Sequence, residues 1–168
     1  MQNFTRPGRA LIEAFRDAPT AVISDNLDRL PGLTGLRPFH RRGRLVGPAR
    51  TVRTRPGDNL FIHKMLDLVE PGDVVVVAGE GDTSRALVGE IMKAIAEKRG
   101  VAGFVIDGAI RDSAAFATSD FPCFARGVNH RGPYKDGPGA LDVPVSISGN
   151  VVSPGDIVVG DEDGVVTF

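Results

Sequence analysis

Arg111 and Asp112 stand side by side just beyond an apolar stretch, Phe104-Val105-Ile106, that runs into Asp107-Gly108. Groups that do chemistry in α/β proteins sit outside strand ends, so this placement points to a site. A guanidinium offers a forked set of donors to a carboxylate or keto oxygen. The adjacent carboxylate offers hard oxygen to a divalent cation. Upstream, a helix starting near Gly89 would leave the amides of Ile91 and Met92 unpaired, an arrangement that favours an anion. Anion hole, arginine and metal carboxylate would then converge on an α-keto acid. The alternative reading of the same residues is an Arg111–Asp112 ion pair at a helix start.

Other clusters carry less. Gly79-Glu80-Gly81-Asp82-Thr83-Ser84 follows a β-branched run. It lacks the third glycine of a dinucleotide loop and the Gly-Lys-Ser/Thr ending of a phosphate loop, so it reads as a plain turn. The same absence argues against a methyl-donor site. Seven arginines (Arg37, Arg41, Arg42, Arg44, Arg50, Arg53 and Arg55) lie in a stretch without an acid. They read either as a surface for RNA or an acidic partner, or as solvated side chains that protect an edge strand. Asp161-Glu162-Asp163 lacks calcium-loop spacing and reads as a solvated hairpin tip. His40, His63 and His130 share no metal-ligand spacing and read as structural or exposed, and Cys123 as a small buried residue.

The elements that must position Arg111 and Asp112 follow from pattern. Helices are expected over Ala10 to Arg16, over AVISDNLDRL with Thr20 as N-cap and an end before Pro31, over NLFIHKMLDLV with Asp58 as cap, and over GEIMKAIAEKRG to Gly100. A short helix follows Arg111. Strands are expected in RLVGPARTVRT, Val74 to Ala78, AGFVIDG, CFARGV, VPVSIS, DIVVG and VVTF, with Asp163-Gly164 as a hairpin turn. Pro-Gly-Asp recurs at Pro56, Pro71 and Pro154, and the last two lead into strands. The strand–helix–strand unit from Val74 to Ile106 demands a parallel pair. The strand-rich C-terminal third implies a second, antiparallel layer in an α/β fold.

The 168 residues suit one domain with its own core. Twenty Lys+Arg against 21 Asp+Glu give a net charge of -1, which leaves no global electrostatic footprint for nucleic acid and argues against it as a partner. One cysteine excludes an internal disulfide, and no apolar run is long enough to span a membrane. With no secretory pattern in MQNFTRPGRA, the expectation is a cytoplasmic protein.

The segment Gly89 to Asp112 resembles the RraA-like family, which includes 4-hydroxy-4-methyl-2-oxoglutarate aldolases that also decarboxylate oxaloacetate. The family's mark is an acid, twenty residues, then Arg-Asp; here Glu90 is followed by positions 91 to 110 and then Arg111-Asp112. The likeness runs from about Thr20 to the end, through TAVISDNL, GDNL, PGDVVVV, GVAGFVIDGAIRD, FARGVNHRGP and PGDIVVGDEDGVV. It implies a three-layer β/β/α fold of the swivelling type with a mixed sheet core, spanning 1–168 as one domain. It also implies a homotrimer or dimer of trimers with sites between subunits. By the motif match, Asp112 would bind Mg²⁺ or Mn²⁺ and Arg111 would hold the keto oxygen. Gly89, Glu90, Ile91 and Met92 would cradle the carboxylate, with Glu90 also facing the metal through water. Asp25 matches an acid that reaches a neighbouring subunit's site.

Two departures bear on activity. Some members carry an acid three residues after the Asp, where this chain has Ala115, and Asp120 is no obvious replacement. Longer relatives add a C-terminal segment beyond the position of Phe168. Both weaken the case for aldol cleavage more than for decarboxylation, because only aldol cleavage needs a base for the departing hydroxyl. The resemblance also admits a non-catalytic regulator that binds and inhibits a ribonuclease, and a quinone-pathway methyltransferase.

Overall fold

The computed structural model describes residues 4–29 and 32–168. In chain order its elements are α1 (Arg9–Ala14), α2 (Thr20–Asn26), β1 (Arg37–Pro38), β2 (Leu45–Thr54), α3 (Leu60–Leu66), β3 (Val74–Ala78), β4 (Ala86–Val88), α4 (Glu90–Lys98) and β5 (Gly103–Ile110). There follow α5 (Ser113–Ala117), β6 (Cys123–Val128), β7 (Gly139–Leu141), β8 (Val145–Ile147), β9 (Asn150–Val152), β10 (Ile157–Asp161) and β11 (Gly164–Thr167).

Successive side chains of a strand point to opposite faces, and β3 uses this on both sides. Val75 and Val77 pack with Ile62, Met65, Met92, Phe104 and Phe116 on the face that α3, α4 and α5 cover. Val74, Val76 and Ala78 pack with Val145, Ile147, Val152 and Val158 on the other, strand-covered face. A strand buried on both faces reads as a continuous apolar run, which explains VVVVA. The result is three layers, helices over a mixed sheet over further strands. The main path of the sheet is β1-β6-β5-β3-β2-β10-β11, with β4 added to β5 and β7 to β2. Strands β2, β3, β5 and β6 run parallel, whereas β10 joins β2 antiparallel. The β8–β9 hairpin forms a separate two-stranded sheet.

Several expectations are met residue for residue, among them β3, β6 and the Asp163-Gly164 turn between β10 and β11. Gly72 and Gly155 of the Pro-Gly-Asp turns take φ of 93° and 91°, the conformation glycine adopts without a Cβ penalty.

Other expectations are corrected. Thr20 is the first residue of α2, not its cap. Its amide donates to Asp161 Oδ2 at 2.9 Å and its hydroxyl to Asp161 Oδ1. Asp161 is therefore buried rather than solvated, and it anchors the helix start with a carboxylate from β10. Leu30 and Pro31, the expected end of this helix, lie outside the described residues.

Arg37 sits on β1, at the end of the sheet path beside β6, as an edge reading requires, but the arginines of β2 do not, because β2 is flanked by β3 and β10. Arg50 is only 4% exposed. Its Nε and Nη2 donate to Asp142 at 2.9 Å each, and its Nη1 donates to the Leu68 carbonyl at 2.9 Å and to Asp73 at 3.3 Å. Arg41 pairs with Asp120, and Arg55 lies beside Asp58 and Asp136. Arg41, Arg44, Arg50 and Arg55 are thus drawn into separate ion pairs, while Arg37, Arg42 and Arg53 are exposed. Among the described residues no helix is long and apolar enough to cross a membrane.

Candidate active site

The two ends of the Glu90-to-Asp112 interval meet because β4 and β5 are parallel neighbours. Ala86 lies opposite Ala109 and Val88 opposite Ile110. The chain leaves β4 at Gly89, turns into α4, and returns through β5 to Arg111. The Arg111 amide donates to the Val88 carbonyl at 3.0 Å, which extends the pairing to the site itself. The helix and the return strand between them account for most of the spacing.

Asp112 takes φ 56° and ψ 39°, in the left-handed region that Asp tolerates better than most residues. It precedes α5, yet its side chain does not cap that helix. Instead its Oδ2 accepts the Glu90 amide at 3.0 Å, at the start of α4. Among the described residues, Asp112 Oδ1 has no hydrogen-bond partner, and neither do the amides of Ile91 and Met92. Arg111 Nε lies 3.8 Å from Asp112 Oδ2, a loose ion pair, and both side chains are about half exposed. The ion-pair reading and the site reading are therefore compatible. Glycine at 89 leaves room for both side chains: a Cβ there would stand 2.5 Å from Asp112 Oδ2 and 3.0 Å from Arg111 Cγ, so one of them would have to shift.

Gly89, Ile91, Met92, Arg111 and Asp112 line one cavity of about 100 Å³. Pockets for drug-sized ligands run to roughly 300–1,000 Å³, so this one suits a small acid. Its floor and walls are mostly apolar, including Leu87, Val88 and Pro133. The Glu90 side chain is exposed and contributes its amide rather than its carboxylate.

Three further residues enter this cavity that spacing did not single out: Asn59, His63 and Lys135. Asn59 and His63 lie one helical turn apart at α3, so both present to one side. Buried Asp58 fixes that helix start. Its Oδ1 accepts the Leu60 amide at 2.9 Å, and its Oδ2 accepts the amides of Asp136 and Gly137 at 2.8 and 2.9 Å. This clamp also places Lys135. Burial pushes the Asp58 carboxyl up, but these amides and the Arg55 guanidinium together hold it below its usual value. The signal in the sequence was Asp58-Asn59, within the GDNL segment, followed by His63 four residues after Asn59.

The Asn59 amide group donates to the Leu87 carbonyl at 3.0 Å and approaches Met92 Sδ at 3.4 Å. Its Oδ1 is buried and accepts no hydrogen bond among the described residues. Burial and the Lys135 ammonium lower the His63 pKa from its usual value, partly offset by Asp67. His63 is thus half-buried at the cavity wall rather than a packing or solvent residue.

The remaining candidates lie elsewhere. Asp25 is exposed on α2 and pairs with Arg29 at 3.1 Å. Asp120 accepts from Arg41 at 3.0 and 2.9 Å, so it does not replace the acid missing at Ala115. His40 accepts the Cys123 amide at 3.1 Å and is structural. Cys123 is fully buried, and burial pushes its thiol far up. His130 lines a second cleft on the other side of Arg111 and Asp112.

No group of three His, Cys, Asp or Glu poised to hold a metal occurs among the described residues. The donor set still fits a magnesium-like cation. Such ions keep several waters and take one or two carboxylates plus substrate oxygens, and Asp112 offers one carboxylate oxygen without a competing hydrogen bond.

The family described as Aldolase/RraA matches residues 20–167. A Halalkalibacterium halodurans protein provisionally named 4-hydroxy-4-methyl-2-oxoglutarate aldolase is 45% identical over 158 residues, 94% of this chain and 75% of that one. The RNA-processing inhibitor RraA from Thermus thermophilis superposes with a TM-score of 0.83 at 31% identity, covering 90% of this chain and 93% of that one. A Geobacillus kaustophilus protein described as an S-adenosylmethionine:2-dimethylmenaquinone methyltransferase gives 0.83 at 35% identity, covering 89% and 93%. Three different activities are thus attached to one fold, and fold alone does not choose among them. With its fold, its sequence and the Glu90-to-Asp112 arrangement in agreement, the chain belongs to the RraA-like family.

Proposed function

We propose that this protein is a divalent-metal-dependent lyase that cleaves a carbon–carbon bond of α-keto acids and releases pyruvate. The observation that carries the reading is the meeting of Arg111, Asp112 and the free Ile91 and Met92 amides at one small cavity. The aldolase name of the 45%-identical relative supports it.

In this reading Asp112, with one carboxylate oxygen not used by the Glu90 amide, would hold Mg²⁺ or Mn²⁺. The cation supplies Lewis acidity that polarises the substrate carbonyl. The Ile91 and Met92 amides, at the positive end of α4, take the carboxylate. Arg111 faces the keto oxygen, where negative charge develops as the C3–C4 bond breaks. Apolar walls from Leu87, Val88 and Met92 keep water away and strengthen those charges. Oxaloacetate decarboxylation needs only this electron sink, whereas cleavage of 4-hydroxy-4-methyl-2-oxoglutarate also needs a base. Assembly as a trimer or dimer of trimers belongs to the same proposal. Ile91, 72% exposed at the cavity rim, suits cover by a second copy.

The test is pyruvate release from oxaloacetate with Mg²⁺ or Mn²⁺, repeated with a chelator. The Arg111→Ala variant should lose on the order of 10²–10³-fold in kcat, the usual loss for one donor to a developing oxyanion. Wild-type turnover by that variant would sink the assignment.

A second reading, a regulator that binds an RNA-degrading enzyme, rests on the description of the Thermus relative. Salt-dependent co-purification with a ribonuclease, together with no lyase activity, would favour it.

A further inference from the structure

We propose that His63 is the proton carrier of the cavity: it takes the proton of the substrate's C4 hydroxyl and returns it to C3 of the pyruvate fragment. The inference rests on the lyase reading above and supplies the base which that reading leaves open.

Elimination from the cavity lining leads there. Asp112 is engaged by the Glu90 amide and reserved for the cation. The Glu90 side chain is exposed and outside the lining, and position 115 is alanine. Lys135 is exposed, and its ammonium is a donor with no acceptor site. Arg111 cannot give up its proton. His63 is the remaining titratable side chain of the lining, and its imidazole makes no hydrogen bond among the described residues. Burial and Lys135 keep it neutral near pH 7, the form that accepts a proton.

Asn59 adds an independent observation. Its Oδ1 is a buried acceptor without a donor at the same wall, one turn of α3 from His63. Buried acceptors are normally satisfied by protein or water. With its NH₂ directed at Leu87 and Met92, Asn59 has only its Oδ1 left, as an acceptor.

The step balances without a co-reactant. The C4 hydroxyl proton passes to His63, and the O–H electron pair becomes the new carbonyl bond at C4. The C3–C4 pair moves into the pyruvate fragment, toward the keto oxygen facing Arg111. The imidazolium then delivers the same proton to C3, which becomes the methyl group. In oxaloacetate the C4 group leaves as CO₂ with no proton to remove, so only the return of a proton to C3 remains, and water can supply it.

The test compares three rates in wild type, His63→Gln and His63→Ala, each with Mg²⁺: CO₂ loss from oxaloacetate, cleavage of 4-hydroxy-4-methyl-2-oxoglutarate, and exchange of pyruvate methyl protons in D₂O by proton NMR. Aldol cleavage and methyl exchange should fall by about 10²–10⁴-fold in both variants, the usual contribution of a general base. CO₂ loss should fall by a clearly smaller factor. Added imidazole should restore part of the exchange in His63→Ala, which a misfolded variant would not allow. If exchange in both variants stays within about threefold of wild type, a difference too small for a lost general base, the His63 assignment is overturned and the lyase reading stands. If the wild-type protein turns over neither substrate and exchanges nothing, the lyase reading fails and the His63 role falls with it.

Discussion

Asp112 Oδ2 accepts the backbone amide of Glu90 at 3.0 Å, so the carboxylate after β5 caps the helix that begins after β4. One oxygen of the carboxylate is spent on holding the helix and the other is free to bind. This division of labour explains why the acid follows directly on Arg111: a single turn of chain presents guanidinium and carboxylate to the same cavity.

Gly89→Ala should damage the site more than the fold. The added Cβ would stand 2.5 Å from Asp112 Oδ2 and must displace Asp112 or Arg111. The backbone at 89 is extended (φ −149°), so alanine itself fits it. The expected outcome is a loss of pyruvate formation of at least about 10²-fold, since misplacing a reacting group by about 1 Å costs that much. Thermal unfolding should change little, and kcat measured beside the melting temperature checks both halves.

Asp112→Asn keeps an oxygen for the Glu90 amide but removes the charge. Binding of Mn²⁺, followed calorimetrically, should be lost while the far-UV spectrum of the fold is retained. Unchanged Mn²⁺ affinity would place the cation elsewhere.

Arg50→Met should be strongly destabilising. It leaves Asp142 buried without its cation, while Asp73 keeps Arg6, and breaking a buried pair costs about 3–5 kcal/mol. At roughly 2–4 °C per kcal/mol for a chain of this size, the melting temperature should drop on the order of 10 °C.

Asp58 and Asp161 link stability to pH. Burial raises both carboxyls, but the amides and, for Asp161, the Thr20 hydroxyl and Arg44 outweigh it, and both end below their usual value. An unfolded carboxyl takes its proton near pH 3.9; the folded ones do so lower. Their stabilisation is therefore complete above that pH and is lost as pH falls through the folded values. The melting temperatures of wild type and Asp58→Asn should differ most near neutral pH and converge below about pH 4, where the unfolded carboxyl is protonated.

Much of this was legible in the sequence. β-branched runs opened by Pro-Gly-Asp mark β3 and β10, because that chemistry acts within a few residues. The convergence of Arg111, Asp112 and the Ile91–Met92 amides follows from one local strand–helix–strand unit. What escaped depends on distant partners. β4 is only three residues long and is a strand through its pairing with β5. Arg50 reads as a solvated cation until Asp142, ninety-two residues away, is folded against it. Asp161 looks like part of an acidic tip until Thr20 reaches it. His63 has no metal-ligand spacing and becomes notable only when the Asp58 clamp brings Lys135 and α3 to the same wall.

The pairing of β4 with β5 also acts as a ruler. Both ends of the interval are pinned, at Val88 and at Arg111, by one backbone hydrogen bond. Adding or deleting one residue within α4 would turn its first turn by about 100° relative to its last. The amides of positions 91 and 92 would then swing off the cavity while every side chain of the motif remained. The count of twenty is therefore a mechanical tolerance, and its violation would silence the site without touching a single reacting group.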